Sequence, residues 1–347
     1  MKAILLLITL AAVCTSGKNI NEYNIAKGSQ PEMISDPKGI LRMVFGRNDS
    51  IFYSFSNDKG NHFSKPLCIA HVPGMHLGMA RGPQIAGSEH YVMITAMDKK
   101  GTIHSFLLDQ TNSRIIKKLA VNDLHYSAPE GLMGLAADEN DQFYAVWLDT
   151  RINKRNNIFF SSFSSGDTKW SANKLVYKSP EGHTCECCKP NIAVRGTHIA
   201  IMFRNWLNGS RDLYYAESFN KGGSFTDARK LGEGTWKLNG CPMDGGGITI
   251  DNKDKVHTVW QRNGVVYYCE PGQKETELAK GRNCGITRSD KSFIITWQEG
   301  NTVKLMDLAN NKPVEVGQGS FIKAADLPGQ SVVCTWENNK EVVYRKM

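Results

Sequence analysis

The stretch "FYAVWLD", residues 143–149, is followed after a short polar turn by "NIFFSSF", residues 157–163. Both runs are rich in β-branched and aromatic residues and are bounded by Asn, Asp and Lys, as short strands are. The same pair of runs recurs along the whole chain, with first runs at "LRMVFGR", "VMITAMD", "IAIMFRN", "VHTVWQR", "FIITWQE" and "VVCTWEN". Because helix-period apolar patterns are almost absent, the sequence predicts an all-β protein.

The repeating unit is about forty to fifty-five residues long and contains three or four short strands. One such sheet cannot bury both faces until neighbours stack around a closed ring, so the unit predicts a propeller blade. Seven blades are favoured, and six are the alternative if one weak repeat is miscounted. The last unit ends after its third strand, so we expect "INEYNIA", residues 20–26, to add the fourth and close the ring. The anchors of the repeat should pack between blades: Phe45, Ala96, Trp147, Phe203, Trp260, Trp297 and Trp336.

The N-terminus has the layout of a secretory signal. Lys2 precedes the apolar run 3–13, and the small residues 14–17 follow it. The run is too short to span a bilayer. We therefore expect a signal peptide over residues 1–17, a single propeller domain over 18–347, and a secreted protein of the periplasm or the extracellular space. Lipoprotein anchoring at Cys14 is less favoured, because Val13 is a poor match to the small residue usually found before a lipidated cysteine.

The formal net charge is +8, and Lys and Arg are scattered along the chain and do not form a stripe. This distribution argues against nucleic acid and anionic membrane as partners. It leaves a small molecule or a glycan as the expected ligand. The oligomeric state is not encoded in any pattern of the sequence.

Two turns suggest a family. "SNDKGNHF", residues 56–63, matches the Ser-x-Asp-x-Gly-x-x-aromatic pattern of the Asp box, "SFNKGGSF", residues 218–225, repeats it with Asn220 for Asp, and "SFSSGDTKW", residues 162–170, is a broken copy. The chain therefore resembles the sialidase superfamily of Asp-box (BNR-repeat) β-propellers. The segments "TCECCKP" and "TWKLNGCPMDGG" resemble an uncharacterised, exported bacterial branch of it. In that family the boxes are structural hairpins on the face away from the ligand, so they indicate a fold and not a function.

The resemblance to a working sialidase is incomplete. "ARGPQIA", residues 80–86, lies where the first arginine motif of the family would lie, and Arg151 and Arg282 are candidates to complete an arginine triad. No Tyr–Glu pair or acid/base Asp is recognisable. If the protein is an enzyme, the resemblance implies an exo-sialidase-like glycoside hydrolase with an incomplete catalytic set.

Propeller topology predicts which residues share one end of the channel. The loop leading into the innermost strand of a blade and the loop joining its second and third strands open on the same side, which we call the mouth. A ligand site there would hold an anionic, glycan-type group with four arginines: Arg81, Arg151, Arg204 and Arg282. Three carboxylates would be available for proton transfer: Glu130, Asp149 and Asp244.

The same loops carry sulfur, which has two interpretations. In an oxidising compartment one of Cys185, Cys187 and Cys188 can form a disulfide with Cys241 or Cys284 and tie adjacent blades together, or Cys187 and Cys188 can pair with each other. Alternatively, these cysteines, with His183, form a soft-metal site for copper or zinc, or a redox site. The three cysteines outside the mouth are expected to be buried or paired: Cys68, Cys269 and Cys334.

Overall fold

The computed structural model describes residues 22–289, 292–327, 329 and 331–347. These residues form 28 strands arranged in seven antiparallel four-stranded sheets. The seven-bladed propeller predicted from the repeat is confirmed. The predicted signal peptide and Cys14 lie outside the described residues. Within the described part of the chain, no helix has the length and apolarity needed to cross a membrane.

Each blade runs outward from the channel in chain order. Blades one to three contain β2 (Ser29–Ser35), β3 (Leu41–Arg47), β4 (Ser50–Ser56), β5 (Leu67–His71); β6 (Gln84–Gly87), β7 (Tyr91–Met97), β8 (Ile103–Asp109), β9 (Ile115–Ala120); and β10 (Met133–Ala137), β11 (Gln142–Ile152), β12 (Arg155–Ser164), β13 (Lys174–Tyr177). Blades four to six contain β14 (Asn191–Arg195), β15 (His198–Arg204), β16 (Leu213–Ser218), β17 (Arg229–Lys230); β18 (Gly247–Ile250), β19 (Val256–Arg262), β20 (Val265–Cys269), β21 (Thr276–Lys280); and β22 (Arg282–Arg288), β23 (Phe293–Glu299), β24 (Thr302–Asp307), β25 (Lys312–Gln318).

Blade seven is built from both ends of the described chain. It contains β26 (Ser320–Leu327), β27 (Ser331–Asn338), β28 (Glu341–Lys346) and, on the outside, β1 (Tyr23–Lys27). Strand β1 pairs antiparallel with β28, with Tyr23 opposite Tyr344 and their rings stacked at 5.2 Å. The predicted closure of the ring by the N-terminal strand is therefore confirmed.

The anchors of the repeat are buried between blades, as predicted. Trp147, Trp297 and Trp336 are at most 1% exposed. Neighbouring blades share their apolar clusters: Tyr144 of blade three packs in one cluster with Phe203 of blade four. Fully burying each large side chain stabilises the fold by roughly 1.5–3 kcal/mol.

Two hairpins at the end opposite the mouth have the same hydrogen bonds. In the first, Gly60 N donates to Ser56 Oγ at 2.9 Å, and His62 N donates to Asp58 Oδ1 at 2.9 Å. In the second, Gly222 N donates to Ser218 Oγ and Ser224 N to Asn220 Oδ1, both at 2.9 Å. An amide oxygen thus replaces a carboxylate oxygen as the acceptor, and the turn keeps its shape. Both connect the third and fourth strands of a blade, which agrees with a structural role away from the mouth.

Candidate functional site at the channel mouth

The mouth loops of blades four to six are joined to one another. A disulfide links Cys187, ahead of β14, to Cys241, ahead of β18. Asn283 N, at the start of blade six, donates to Asp244 Oδ2 at 2.7 Å. The predicted disulfide between adjacent blades is therefore present. Free thiols also lie in these loops, so a metal-binding or redox role for the cysteines stays a hypothesis.

Glycines 245–247 let these loops approach the channel closely. A Cβ added at Gly245 would lie 2.0 Å from the backbone oxygen of Lys189, and one at Gly246, where φ is +69°, would lie 2.3 Å from the backbone oxygen of Val259. Neither backbone atom can move far, so side chains are excluded at both positions. The close packing holds the Cys241 loop against the Cys187 loop.

Three sulfur atoms form a compact group beside the disulfide. The Sγ atoms of Cys185, Cys187 and Cys188 all lie within 4.8 Å of one another. Cys185 Sγ is 3.6 Å from Cys187 Sγ and 3.4 Å from Cys188 Sγ. All three residues are at most 9% exposed. We call these three residues the sulfur cluster.

Cys185 is held in an environment that favours its thiolate. A hydrogen bond from the Cys188 thiol, supported by the backbone N–H of Cys187 and the charges of Arg211 and Arg204, lowers the Cys185 pKa to about 6 in spite of burial. Arg211 Nη1 donates to Cys185 Sγ at 3.0 Å. A thiolate is the nucleophilic and metal-binding form of cysteine, and Cys185 is the member of the cluster whose ionised form is most favoured.

The neighbouring thiols are held in the protonated form. Burial, together with the hydrogen bond to Cys185, raises the Cys188 pKa well above its ordinary value. Burial, together with the Asp244 charge, likewise raises the Cys284 pKa. One ionised sulfur with protonated partners is therefore the preferred charge state of this part of the mouth.

Arg204 holds the loops around the sulfur cluster in place by donating hydrogen bonds to backbone carbonyl groups. Its guanidinium is fully buried and donates to the carbonyl oxygens of Arg211 at 2.7 Å, Gln261 at 2.9 Å and Asp244 at 3.1 Å and 3.2 Å. These bonds join blades four and five and occupy the face that would hold a bidentate anion. Its charge still acts on the sulfurs, because it helps to lower the Cys185 pKa and opposes the rise of the Cys188 pKa.

Asp149 and Arg151 form a closed network in blade three. Asp149 is fully buried, and its oxygens accept hydrogen bonds from Ser127, from Trp147, and from both the backbone and the guanidinium of Arg151. Arg151 also donates to Asp123 at 2.7 Å. The groups predicted for ligand binding and proton transfer in this blade are thus already bonded to each other.

Two predicted residues face each other across blades two and three. Arg81 Nη2 is 3.6 Å from Glu130 Oε2, and Arg81 Nε donates to the Glu130 carbonyl oxygen at 2.5 Å. Their side chains are 15% and 31% exposed, so a ligand at the rim can reach them. Arg282 is exposed, and its side chain forms no hydrogen bond or salt bridge among the described residues, although its charge acts on Asp244.

Asp244 lies between the sulfur cluster and the channel. Burial raises its pKa, while the charge of Arg204, the N–H groups of Asn283 and Gly246, and the charge of Arg282 oppose that rise. A buried carboxyl group with a raised pKa has the property expected of a proton donor, although both its oxygens accept backbone N–H groups.

His183 stands beside the sulfur cluster without joining it. Its Nδ1 lies 3.0 Å from the Thr184 carbonyl oxygen and 3.2 Å from Glu186 Oε1, and its ring stacks on Trp206. Among the described residues, the close group of possible metal ligands contains cysteines only.

Two findings go beyond the sequence-based prediction. Cys68 is free and exposed, contrary to expectation, because it lies on β5, an outermost strand with one face in solvent; Cys269 and Cys334 are buried as expected. Arg211, which contacts the key thiolate, was missed. Its position in the same loop as Arg204 was the one available signal.

Comparison with known proteins supports the fold. No protein-family model matches the sequence, and no curated protein is similar to it. Similar solved structures include a polysaccharide lyase of the ulvan lyase type, with a TM-score of 0.59, 11% identity, and coverage of 93% of this chain and 95% of the lyase. The SapL1 lectin in complex with alpha methyl fucoside has a TM-score of 0.55 and 12% identity, covering 88% and 98%.

A sialidase is also among the similar structures. The Hadza microbial sialidase Hz136 has a TM-score of 0.51 and 10% identity, and the alignment covers 94% of this chain and 68% of the sialidase. At identities this low, the likeness extends to the propeller fold alone. The likeness therefore assigns no role to the residues of the mouth.

Proposed function

We propose that the mouth is a thiolate site for a soft metal ion of the copper(I) class, and that the Cys187–Cys241 disulfide is its oxidised, metal-free form. The observation that carries this proposal is the sulfur cluster, whose three Sγ atoms lie within 4.8 Å of one another. Soft thiolates select Cu(I) and Zn(II) over harder ions.

The donor set favours copper over zinc. Protein zinc sites are almost always four-coordinate, whereas the cluster offers three sulfurs and no histidine, and only Cys241, once freed from Cys187, would add a fourth ligand. When bound, the ion would be held by Cys185, Cys187 and Cys188, and the guanidinium groups of Arg204 and Arg211 would offset the charge of the thiolates. Arg211 already donates to Cys185 Sγ.

The disulfide supplies a route between the two forms. Cys241 is exposed, whereas Cys187 is nearly buried. An external thiolate attacks Cys241 Sγ, the Cys187–Cys241 bond breaks, and the Cys187 thiolate is left in the cluster. A second external thiol then frees Cys241, so two thiols are oxidised to one disulfide for each protein disulfide reduced.

The test is an anaerobic titration with Cu(I) in the presence of a coloured competing chelator, and with Zn(II) in parallel. Reduced wild-type protein should bind one Cu(I), and Cys185→Ser or Cys188→Ser should abolish binding. Cys334→Ser, which changes a buried cysteine of blade seven, is the matched control and should bind as the wild type does. The proposal fails if reduced protein binds no Cu(I), or if binding survives both cluster substitutions.

A second function, recognition of an anionic glycan-type ligand at the mouth, is favoured by the exposed Arg282 and by the partly exposed pair Arg81 and Glu130. Some proteins of the same fold are named as lectins, polysaccharide lyases or sialidases. Release of sialic acid from a fluorogenic sialoside, lost in Arg81→Ala, would support hydrolysis. Activity retained in Arg81→Ala would contradict this assignment.

Membership of the Asp-box branch and export also belong to the proposal. The two hairpins with identical hydrogen bonds support the first, and the residue order of the N-terminus supports the second. Fractionation of cells that express the full chain, with N-terminal sequencing of the product, tests export. Recovery of uncleaved protein in the cytoplasm would contradict it.

A further inference from the structure

The part of the channel near the mouth contains a second cluster of polar side chains, separate from the sulfur cluster. Glu32 of β2, Lys189 ahead of β14 and Lys323 of β26 line a cavity of about 200 Å³. The three residues come from three different blades and meet at the channel axis. Farther from the mouth the channel wall becomes apolar, with Ile192, Ile248 and neighbouring side chains, so the polar groups form one layer.

The charges in this layer do not balance. Lys189 Nζ and Lys323 Nζ each lie 2.9 Å from the same atom, Glu32 Oε1. Two ammonium groups thus share one carboxylate and leave one positive charge in excess. Although burial raises the Glu32 pKa, the two ammonium groups lower it to about 2, so this carboxylate stays ionised.

A second carboxyl group close to the two lysines, that of Asp244, does not supply the missing charge. Asp244 lines the narrow space between the cavity and the mouth, but its oxygens accept the backbone N–H groups of Gly246 and Asn283. Its charge is also met by Arg204 and Arg282. The excess charge of the lysine pair therefore remains in the cavity.

The ammonium groups keep donors for a ligand. An ammonium group has three N–H donors. Lys189 uses two of them, on Glu32 and Gln84, and Lys323 uses one, on Glu32. With respect to the described part of the chain, one donor on Lys189 and two on Lys323 are left beside a cavity that is open to the mouth.

We propose that this cavity binds a carboxylate, held between Lys189 and Lys323. An added negative charge neutralises the layer, and a carboxylate has two oxygens to accept the remaining N–H groups. The cavity volume suits a free small carboxylate or the acid group of a sugar whose ring stays at the mouth. The site shares no residue with the sulfur cluster, although Lys189 directly follows Cys188 in the chain.

The test is isothermal titration calorimetry at low ionic strength with two probes, acetate and glucuronate. Wild-type protein should bind at least one of them, and Lys323→Met should weaken binding at least about tenfold, because the partly exposed lysine carries the free donors. Lys280→Met, which changes an exposed lysine on the outermost strand of blade five, should leave binding unchanged. Glu32→Gln should strengthen binding by roughly tenfold, because it removes the competing carboxylate.

The outcomes separate the sources and the two proposals. Binding of acetate alone indicates a free small carboxylate, and tighter binding of glucuronate indicates the acid group of a sugar. Cys185→Ser should bind the probes as the wild type does, so loss of copper binding and loss of carboxylate binding are distinguishable. The proposal is overturned if neither probe binds, or if Lys323→Met and Glu32→Gln bind with unchanged affinity.

Discussion

The arginines of two neighbouring loops at the mouth have different kinds of partner. In blade three, Arg151 is neutralised by two carboxylates, Asp149 at 2.9 Å and Asp123 at 2.7 Å. In blade four, Arg204 donates to backbone carbonyls and Arg211 donates to the sulfur of Cys185. Both loops join the second and third strands of their blades, so topology does not explain the difference.

The difference separates a supporting loop from a reactive one. The charge of an arginine bonded to two carboxylates is largely neutralised, so Arg151 has little electrostatic effect on other groups. The loop of blade three is therefore suited to stabilising the ring. The carboxylate beside Arg211, Glu186, is 4.0 Å away, so this guanidinium still stabilises the Cys185 thiolate. We therefore expect substitutions in blade three to change stability, and those in blade four to change thiol chemistry.

The largest effect should come from Asp149→Ala. It leaves Arg151 with one half-exposed carboxylate and removes the acceptor for the buried Trp147 and Ser127 donors. We expect the free energy of unfolding to fall by about 3–5 kcal/mol, measured by urea denaturation. A loss below about 1 kcal/mol would mean that the network is no more than a surface ion pair, and the contrast with blade four would disappear.

The next largest loss of stability should come from removing the disulfide that links the loop of blade four to blade five. Replacing Cys187 and Cys241 together by Ser removes a cross-link across 54 residues. The expected cost under oxidising conditions is about 2–4 kcal/mol, because the unfolded chain gains freedom. Reduced wild-type protein should match the double variant in the same urea experiment. Equal stability of oxidised wild type and variant would show that the tie does not constrain the ring.

Arg211→Met tests whether the arginine of blade four stabilises the Cys185 thiolate. The Cys185 pKa of about 6 lies below the ordinary 9.0, so ionised Cys185 stabilises the fold above pH 9, and this contribution is lost as the pH falls to about 6. Removing the guanidinium should raise the Cys185 pKa by roughly one unit, measured by thiolate absorbance. Arg195→Met, at the opposite end of blade four, is the control and should leave it unchanged. An unchanged pKa in Arg211→Met would contradict the proposed influence of this cation.

The smallest effect should come from Asp123→Asn. This carboxylate forms the outer bond to Arg151 and is 48% exposed. Water screens it, so the expected loss is about 0–1 kcal/mol and should vanish at high salt. A loss as large as that of Asp149→Ala would show that both carboxylates are equally important and that the buried one has no special role.

The fold was predictable because it repeats. A strand pair that recurs seven times identifies blades even where one copy, such as that around Ala96, lacks its aromatic anchor. Closure by the N-terminal strand followed from the missing fourth strand of the last unit. The convergence of Cys187 and Cys241 followed in turn, because ring topology alone brings the starts of neighbouring blades together.

The side-chain pairings were not predictable in the same way. Sequence order places Arg151 and Arg204 at the mouth, but whether a guanidinium meets a carboxylate or a carbonyl depends on distances of a few ångströms between loops without ladder hydrogen bonds. The Glu32, Lys189 and Lys323 layer was missed for the same reason. Its members come from three blades, and no local pattern links them.

Blade seven, assembled from β1 and β26–β28, has a consequence for how the protein is made. During synthesis, blades one to six emerge from the ribosome before the partner of β1 exists, and the incomplete arc exposes unpaired edges that invite association with other chains. Cys187 and Cys241 are both translated well before that final pairing. Oxidation at this stage would link two adjacent blades covalently. It would thereby shorten the time during which the incomplete ring can associate with other chains.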